Sequence, residues 1–187
     1  ACVGGLLALV GGGALFEFAS VQRDRRRYKT PPGDLIDVGG YRLHIRRTGT
    51  RTADQPVVVL DAGVGSNSID WAIVQPRIAE FAQVVSYDRA GYGWSDAGPE
   101  PRTTERIVSE LHALLHNAEV EPPYLMVGHS FGGIHIRAFA EAYTDEVVGL
   151  VLVDSSHPDV LAERDTKPEI RRLRNVGRLQ RVGFMRL

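Results

Sequence analysis

The chain has 187 residues, 43% hydrophobic and 24% charged, with a formal net charge of -1. That is enough for one domain with a sizeable core, and the charge balance gives no reason to expect nucleic acid or a polyanionic partner. The single cysteine, Cys2, excludes an intramolecular disulfide and any cysteine-based metal cluster. The first sixteen residues carry no charge and are mostly Leu, Val, Ala and Gly; Glu17 interrupts, and Arg23-Asp24-Arg25-Arg26-Arg27 follows. Residues 1–22 therefore read as a transmembrane or signal-anchor segment whose terminal arginines would sit among lipid headgroups. The apolar core of a secretory signal and a helix packed on the protein are the competing readings. The expected location is membrane-anchored by a single pass, or exported.

Residues 23–33 form a basic, proline-containing linker, because Thr30-Pro31-Pro32-Gly33 breaks any helix. A globular core is expected over residues 34–160. Leu35–Val38 and Tyr41–Arg46 flank Gly39-Gly40, which suits a hairpin with a two-residue turn. The second strand alternates apolar and polar, and His44 falls on its polar side, as expected of a surface histidine. Val57–Leu60 is a continuous apolar run of the kind that forms a buried parallel strand. It empties into Asp61-Ala62-Gly63-Val64-Gly65-Ser66, a loop of small residues. Such a loop can act as a plain strand-to-helix turn, or it can aim a backbone N–H, that of Val64, at a bound substrate.

A helix is expected from Pro76 through Phe81, with proline at its first position. Val84–Tyr87 is the next strand, ending in Asp88-Arg89-Ala90-Gly91-Tyr92-Gly93-Trp94-Ser95. Asp88 is expected to be structural, capping backbone N–H groups and pairing with Arg89. Ile107, Leu111, Leu114, Leu115 and Ala118 share one face of a helix spanning 104–118. His112 and His116 stand at i, i+4, but no Glu lies between them and no third ligand is suggested, so they are expected to be solvated. The pattern calls for no metal and no cofactor.

Tyr124–Val127 is an apolar run that ends abruptly in Gly128-His129-Ser130-Phe131-Gly132-Gly133, with helical spacing (Ile134, Ala138, Phe139, Ala142) immediately after. Strand, tight turn and helix with serine at the apex define a nucleophile elbow. Gly128 and Gly132 relieve crowding there, while Ser130 is forced toward positive φ with its hydroxyl lifted clear. The helix beside it directs free N–H groups and its positive end at the same spot. Val147–Val153 is a further buried strand, ending at Asp154-Ser155-Ser156-His157-Pro158. Residues 161–187, rich in Arg and Leu, read as an amphipathic segment covering the site or lying near a membrane surface.

Strands alternating with helices predict an α/β fold with a mainly parallel sheet, its ligands at the carboxyl ends of the strands. The elbow, the Asp-Ala-Gly loop, Tyr-Asp-Arg-Ala-Gly-Tyr-Gly-Trp-Ser and Leu-Val-Leu-Val-Asp-Ser-Ser-His-Pro together resemble the α/β-hydrolase superfamily, over about residues 34–159. The likeness is closest to membrane-anchored bacterial hydrolases. It implies that Ser130 is a nucleophile, that the Val64 and Phe131 N–H groups form an oxyanion hole, and that residues 161–187 begin a lid. The superfamily order is Ser, acid, His. Asp154 and His157 are the only candidates here for acid and base, and three residues apart on one loop they would have difficulty bridging each other and Ser130. The chain is therefore expected to be a fragment, inactive by itself, of a serine hydrolase acting on a small-molecule ester, thioester or amide. The alternative is a non-catalytic, ligand-binding version of the same fold.

Overall fold

The computed structural model describes residues 12–23, 29–52, 55–157 and 159. Two compact units divide the chain, one of Ala1–Thr30 with Glu163–Leu187 and one of Pro31–Ala162. In the first, residues 12–23 are helical (α1), with Leu15, Phe16 and Phe18 exposed. Among the described residues no helix is long and apolar enough to cross a membrane. Residues 1–11 of the expected anchor, and residues 161–187 expected to start a lid, lie outside the described residues.

The second unit is a six-stranded sheet in the order β1-β2-β4-β3-β5-β6. The strands are β1 (Asp34–Asp37), β2 (Arg42–Thr48), β3 (Val57–Asp61), β4 (Val84–Tyr87), β5 (Tyr124–His129) and β6 (Val147–Val153). β1 and β2 pair antiparallel, as do β2 and β4, whereas β4, β3, β5 and β6 run parallel. The hairpin turns on Gly39 and Gly40, both at positive φ, and the Asp37 carboxylate accepts from their N–H groups. The expected α/β fold with a mainly parallel sheet is present.

The connecting helices are α2 (Val74–Ile78), α3 (Thr104–Asn117) and α4 (Gly132–Ala142). α2 starts two residues before the expected proline, which occupies its first turn without loss because those N–H groups have no intrahelical acceptor. Side chains alternate across the strands and divide the core. Val57, Val59, Val85 and Met126 pack with Leu111, Leu114, Leu115, Ile136 and Phe139 of α3 and α4. Val58, Leu60, Val84 and Val127 pack on the other face with Trp71 and Ala82. Both faces of β3 and β4 are thus covered, and these two strands are buried throughout.

Three expectations about histidine and arginine partners are corrected. His44 is fully buried, because the loop after β4 and the turn before α2 cover its side of the sheet; its Nδ1 lies 3.0 Å from Asp88 Oδ2 and its ring 4.9 Å from that of Trp94. Arg89 pairs with Asp61 rather than with Asp88. His112 is not simply solvated: it stacks on Tyr143 and its Nε2 meets Glu146 at 3.0 Å, while His116 is exposed.

Among the described residues β6 is the last strand of the sheet, and unlike β3 and β4 it is not the buried strand expected from its apolar run. Val148 is 62% exposed, and Leu150, Val151, Leu152 and Val153 are between 39% and 43% exposed. An apolar strand with an open hydrogen-bonding rail is a template for pairing with another chain. The 187-residue chain by itself is accordingly expected to self-associate in light scattering, and Val148→Lys with Leu150→Lys to return it to monomer without loss of helical circular dichroism. Unchanged mass for the double variant would locate the association elsewhere.

Candidate active site

β5 passes into α4 through a single turn, and Ser130 stands at its apex with φ of 51°. A side chain is unfavourable in this region of φ, and the surrounding packing enforces it. A Cβ on Gly128 would lie 2.7 Å from the Gly133 backbone, and one on Gly132 would lie 2.5 Å from the Asp61 carbonyl oxygen. Strand, helix and the end of β3 therefore meet where only hydrogens fit. The turn is tied by Ser130 N–H donating to Val153 O (3.1 Å) and by Gly133 and Ser156 N–H donating to Ser130 O. His129, half-buried before the serine, has its Nδ1 3.2 Å from where a Gly63 Cβ would stand.

The loop after β3 lies against this turn: a Cβ on Gly63 would come within 3.4 Å of Ser130 Cβ. Neither the Val64 nor the Phe131 N–H has a hydrogen-bond acceptor among the described residues. Both residues line one cavity of about 140 Å³, together with Arg89, Ala90, Tyr92, Arg102 and Ile107. A second cavity, of about 430 Å³, is lined by Asp70, Trp71, Val74, His129 and Val153.

Two polar knots hold the carboxyl edge of the sheet. In the first, Arg89 donates to Asp61 Oδ1, to Ala62 O (2.7 Å) and to Gly63 O (2.5 Å). Asp61 also accepts from Tyr87 Oη (3.0 Å), and His135 Nδ1 lies 3.0 Å from its Oδ2. Burial works against the Arg89 charge, but the Asp61 carboxylate more than restores it, and the guanidinium pKa is raised. Burial, with the Asp61 charge beside it, pushes the Tyr87 phenol well above its usual value. In the second knot Asp88, fully buried, accepts from Ser68 N–H (2.7 Å) and Trp94 N–H (2.9 Å) and pairs with His44. Gly93 approaches the Asp88 carboxylate so closely that no side chain fits there. Asp88 thus caps backbone N–H groups as the sequence suggests, with the His44 ring rather than Arg89 beside its carboxylate.

Asp154 ends β6 at φ of 43° and is exposed. His157 is also exposed and pairs with Asp159 (Nδ1 to Oδ2, 3.5 Å) rather than with Asp154. Among the described residues no histidine hydrogen-bonds the Ser130 hydroxyl. The Asp61–His135 couple beneath the elbow is buried and engaged with Arg89 and Tyr87 instead. Asp61, Arg89, Tyr87 and His135 are the residues that reading the sequence missed as a group. The available signal was an acid and a base placed just beyond two apolar strands that pair with each other.

Residues 55–186 match the model of the alpha/beta hydrolase fold family, and the chain belongs to that family. Protein YqjL of Bacillus subtilis is 36% identical over 102 residues, covering 54% of this chain and 40% of that protein. An AB hydrolase superfamily protein of Gibberella zeae is 34% identical over 118 residues, covering 61% of this chain and 37% of its own length. The solved structure of a mutant of CumD, a meta-cleavage product hydrolase of Pseudomonas fluorescens, superposes with a TM-score of 0.59 at 25% identity. That superposition covers 66% of this chain and 45% of CumD. The chain thus spans less than half the length of each of these relatives.

The Asp88 knot has a pH signature. Burial alone would raise the Asp88 pKa, but hydrogen bonding to His44 and to the Ser68 and Trp94 N–H groups outweighs it, and the pKa is lowered. The stabilisation is therefore present above the unfolded value of about 3.9 and lost as pH falls through the lower folded value. Asp88→Ala is expected to cost about 3–5 kcal/mol at neutral pH. Urea midpoints measured from about pH 5 down to pH 2 should also fall less steeply in the variant than in the wild type.

Proposed function

We propose that the protein is a serine hydrolase that cleaves an ester, thioester or amide of a small molecule through an acyl-enzyme at Ser130. The observation that carries this reading is the positive φ of Ser130 at the apex of a strand-to-helix turn, beside two N–H groups with no acceptor among the described residues. In the proposed chemistry the Ser130 Oγ attacks the carbonyl carbon, and its proton passes to a base. The carbonyl oxygen becomes an oxyanion held by the Val64 and Phe131 N–H groups, assisted by the positive end of α4. Collapse expels the alcohol, thiol or amine, and water then releases the acid from Ser130. Gly128, His129 and Gly132 shape the turn.

His157 is a poor choice of base, being exposed and paired with Asp159, so the base and its acid are assigned to residues other than those described. A serine hydroxyl is a weak nucleophile without one. The intact protein is expected to react with a fluorophosphonate probe and to hydrolyse p-nitrophenyl esters. Ser130→Ala should abolish labelling and lower kcat by at least about 10⁴-fold, whereas His157→Ala should leave kcat within about threefold. Undiminished turnover after Ser130→Ala would remove the serine mechanism. Specific ligand binding with neither labelling nor turnover would favour the non-catalytic reading.

Membrane anchoring through residues 1–22 belongs to the same proposal. Its support is the uncharged run to Phe16, the arginines from Arg23 to Arg27, and the exposed Leu15, Phe16 and Phe18. The intact protein should remain in the membrane pellet after alkaline carbonate washing, and deletion of residues 1–22 should release it. Release of the undeleted protein would refute the anchor.

A further inference from the structure

The Gly63–Val64 peptide is held from behind by a cation. Arg89 Nη2 lies 2.5 Å from the Gly63 carbonyl oxygen, and Nη1 donates to the Ala62 carbonyl at 2.7 Å and to the Asp61 carboxylate. In a planar trans peptide the C=O of one residue and the N–H of the next point in opposite directions. Drawing the Gly63 oxygen toward Arg89 therefore turns the Val64 N–H the other way. Packing against the elbow fixes where the loop lies, and among the described residues its own backbone adds one bond, Ser66 N–H to Gly63 O at 3.3 Å. Hydrogen bonding by a charged donor at the carbonyl also polarises the peptide and strengthens the N–H at its far end as a donor.

Arg89 is itself held firmly. It is 6% exposed, its Tyr92 neighbour lies 5.2 Å from the guanidinium carbon, and Asp61 is anchored by Tyr87 and His135. His135 belongs to α4, the helix that begins at the elbow, so Arg89, the loop and the serine turn share one frame. We infer that Arg89 is a positioning residue for oxyanion stabilisation: its guanidinium, clamped on the Ala62 and Gly63 carbonyls, orients and polarises the Val64 N–H toward the substrate oxygen. The inference rests on the serine-hydrolase reading for its catalytic consequence, but not for the clamp.

Two measurements on the intact protein separate clamp from catalysis. By NMR, Arg89→Met should shift the Val64 amide resonance and lower its order parameter, leaving Val58 and Val59 of β3 unchanged. By kinetics on a p-nitrophenyl ester, Arg89→Met should lower kcat by about 10²–10³-fold, the cost of losing one oxyanion donor, with KM within about threefold. Affinity for a boronic acid that forms a tetrahedral adduct should fall in parallel. Arg89→Lys should recover little, because an ammonium lacks the planar fork that reaches three acceptors, whereas added guanidinium should partly restore Arg89→Ala. An unchanged Val64 amide in Arg89→Met overturns the clamp whether or not the protein is a hydrolase. A rise in KM with kcat unchanged overturns the catalytic role and makes Arg89 a ground-state binding residue. Wild-type protein that neither turns over nor labels would refute the serine reading and with it the catalytic consequence, and the Val64 amide would still decide the clamp.

Discussion

Between β5 and α4 the chain reverses in a space that admits no side chain, and that crowding organises the carboxyl edge of the sheet. Gly128 faces Gly133, and Gly132 faces the carbonyl oxygens of Asp61 and Ala62, so strand, helix and the end of β3 touch backbone to backbone. Ser130 absorbs the reversal by adopting φ of 51°. An L residue tolerates that conformation at a cost of about 1–3 kcal/mol, sustained by the packing around it. The hydroxyl, the start of α4 and the loop after β3 are consequently brought to one place by a single steric condition.

Close packing alone would leave the polar backbone of that loop unsatisfied, and burying unpaired carbonyls is costly. Arg89 meets the need by carrying donors into the interior for Ala62 and Gly63, with the Asp61 carboxylate balancing its charge. Asp88 does the converse, bringing an acceptor to the Ser68 and Trp94 N–H groups with His44 beside it. Buried ion pairs are weak arguments for stability, because desolvation opposes the attraction. Their value here lies in geometry: each ties loops from different strands to one charged centre.

The strands that carry these knots are themselves covered on both faces, whereas β6 keeps much of its apolar surface exposed. Covered strands give the Ser130 turn and its neighbouring loop a rigid base, since their side chains interlock with α3 and α4 on one face and with Trp71 and Ala82 on the other. At β6 the following loop is connected to the elbow chiefly through backbone bonds, Ser130 N–H to Val153 O and Ser156 N–H to Ser130 O. Asp154 and His157 lie on this exposed loop without meeting each other. Among the described residues the elbow, with Ser130 at its apex, and the loop after β3 therefore meet at one edge of the sheet, while Asp154 and His157 stand apart from them.

Local pattern determined most of the architecture. The apolar runs at β3, β4, β5 and β6, the Gly39-Gly40 turn and the α3 stripe each encode an element through periodicity or through the conformational needs of glycine. The same held for the turn around Ser130, because its spacing of glycines is a local steric requirement. What only the tertiary structure decided was which charges become partners. His44 looked like a surface residue because alternation along β2 says nothing about the Asp88 loop that later covers it. Arg89 looked like the partner of its neighbour Asp88, yet it reaches Asp61, which lies 28 positions earlier, because parallel β3 and β4 bring their carboxyl ends side by side. Pairing across strands depends on sheet order and register, which no window of sequence contains.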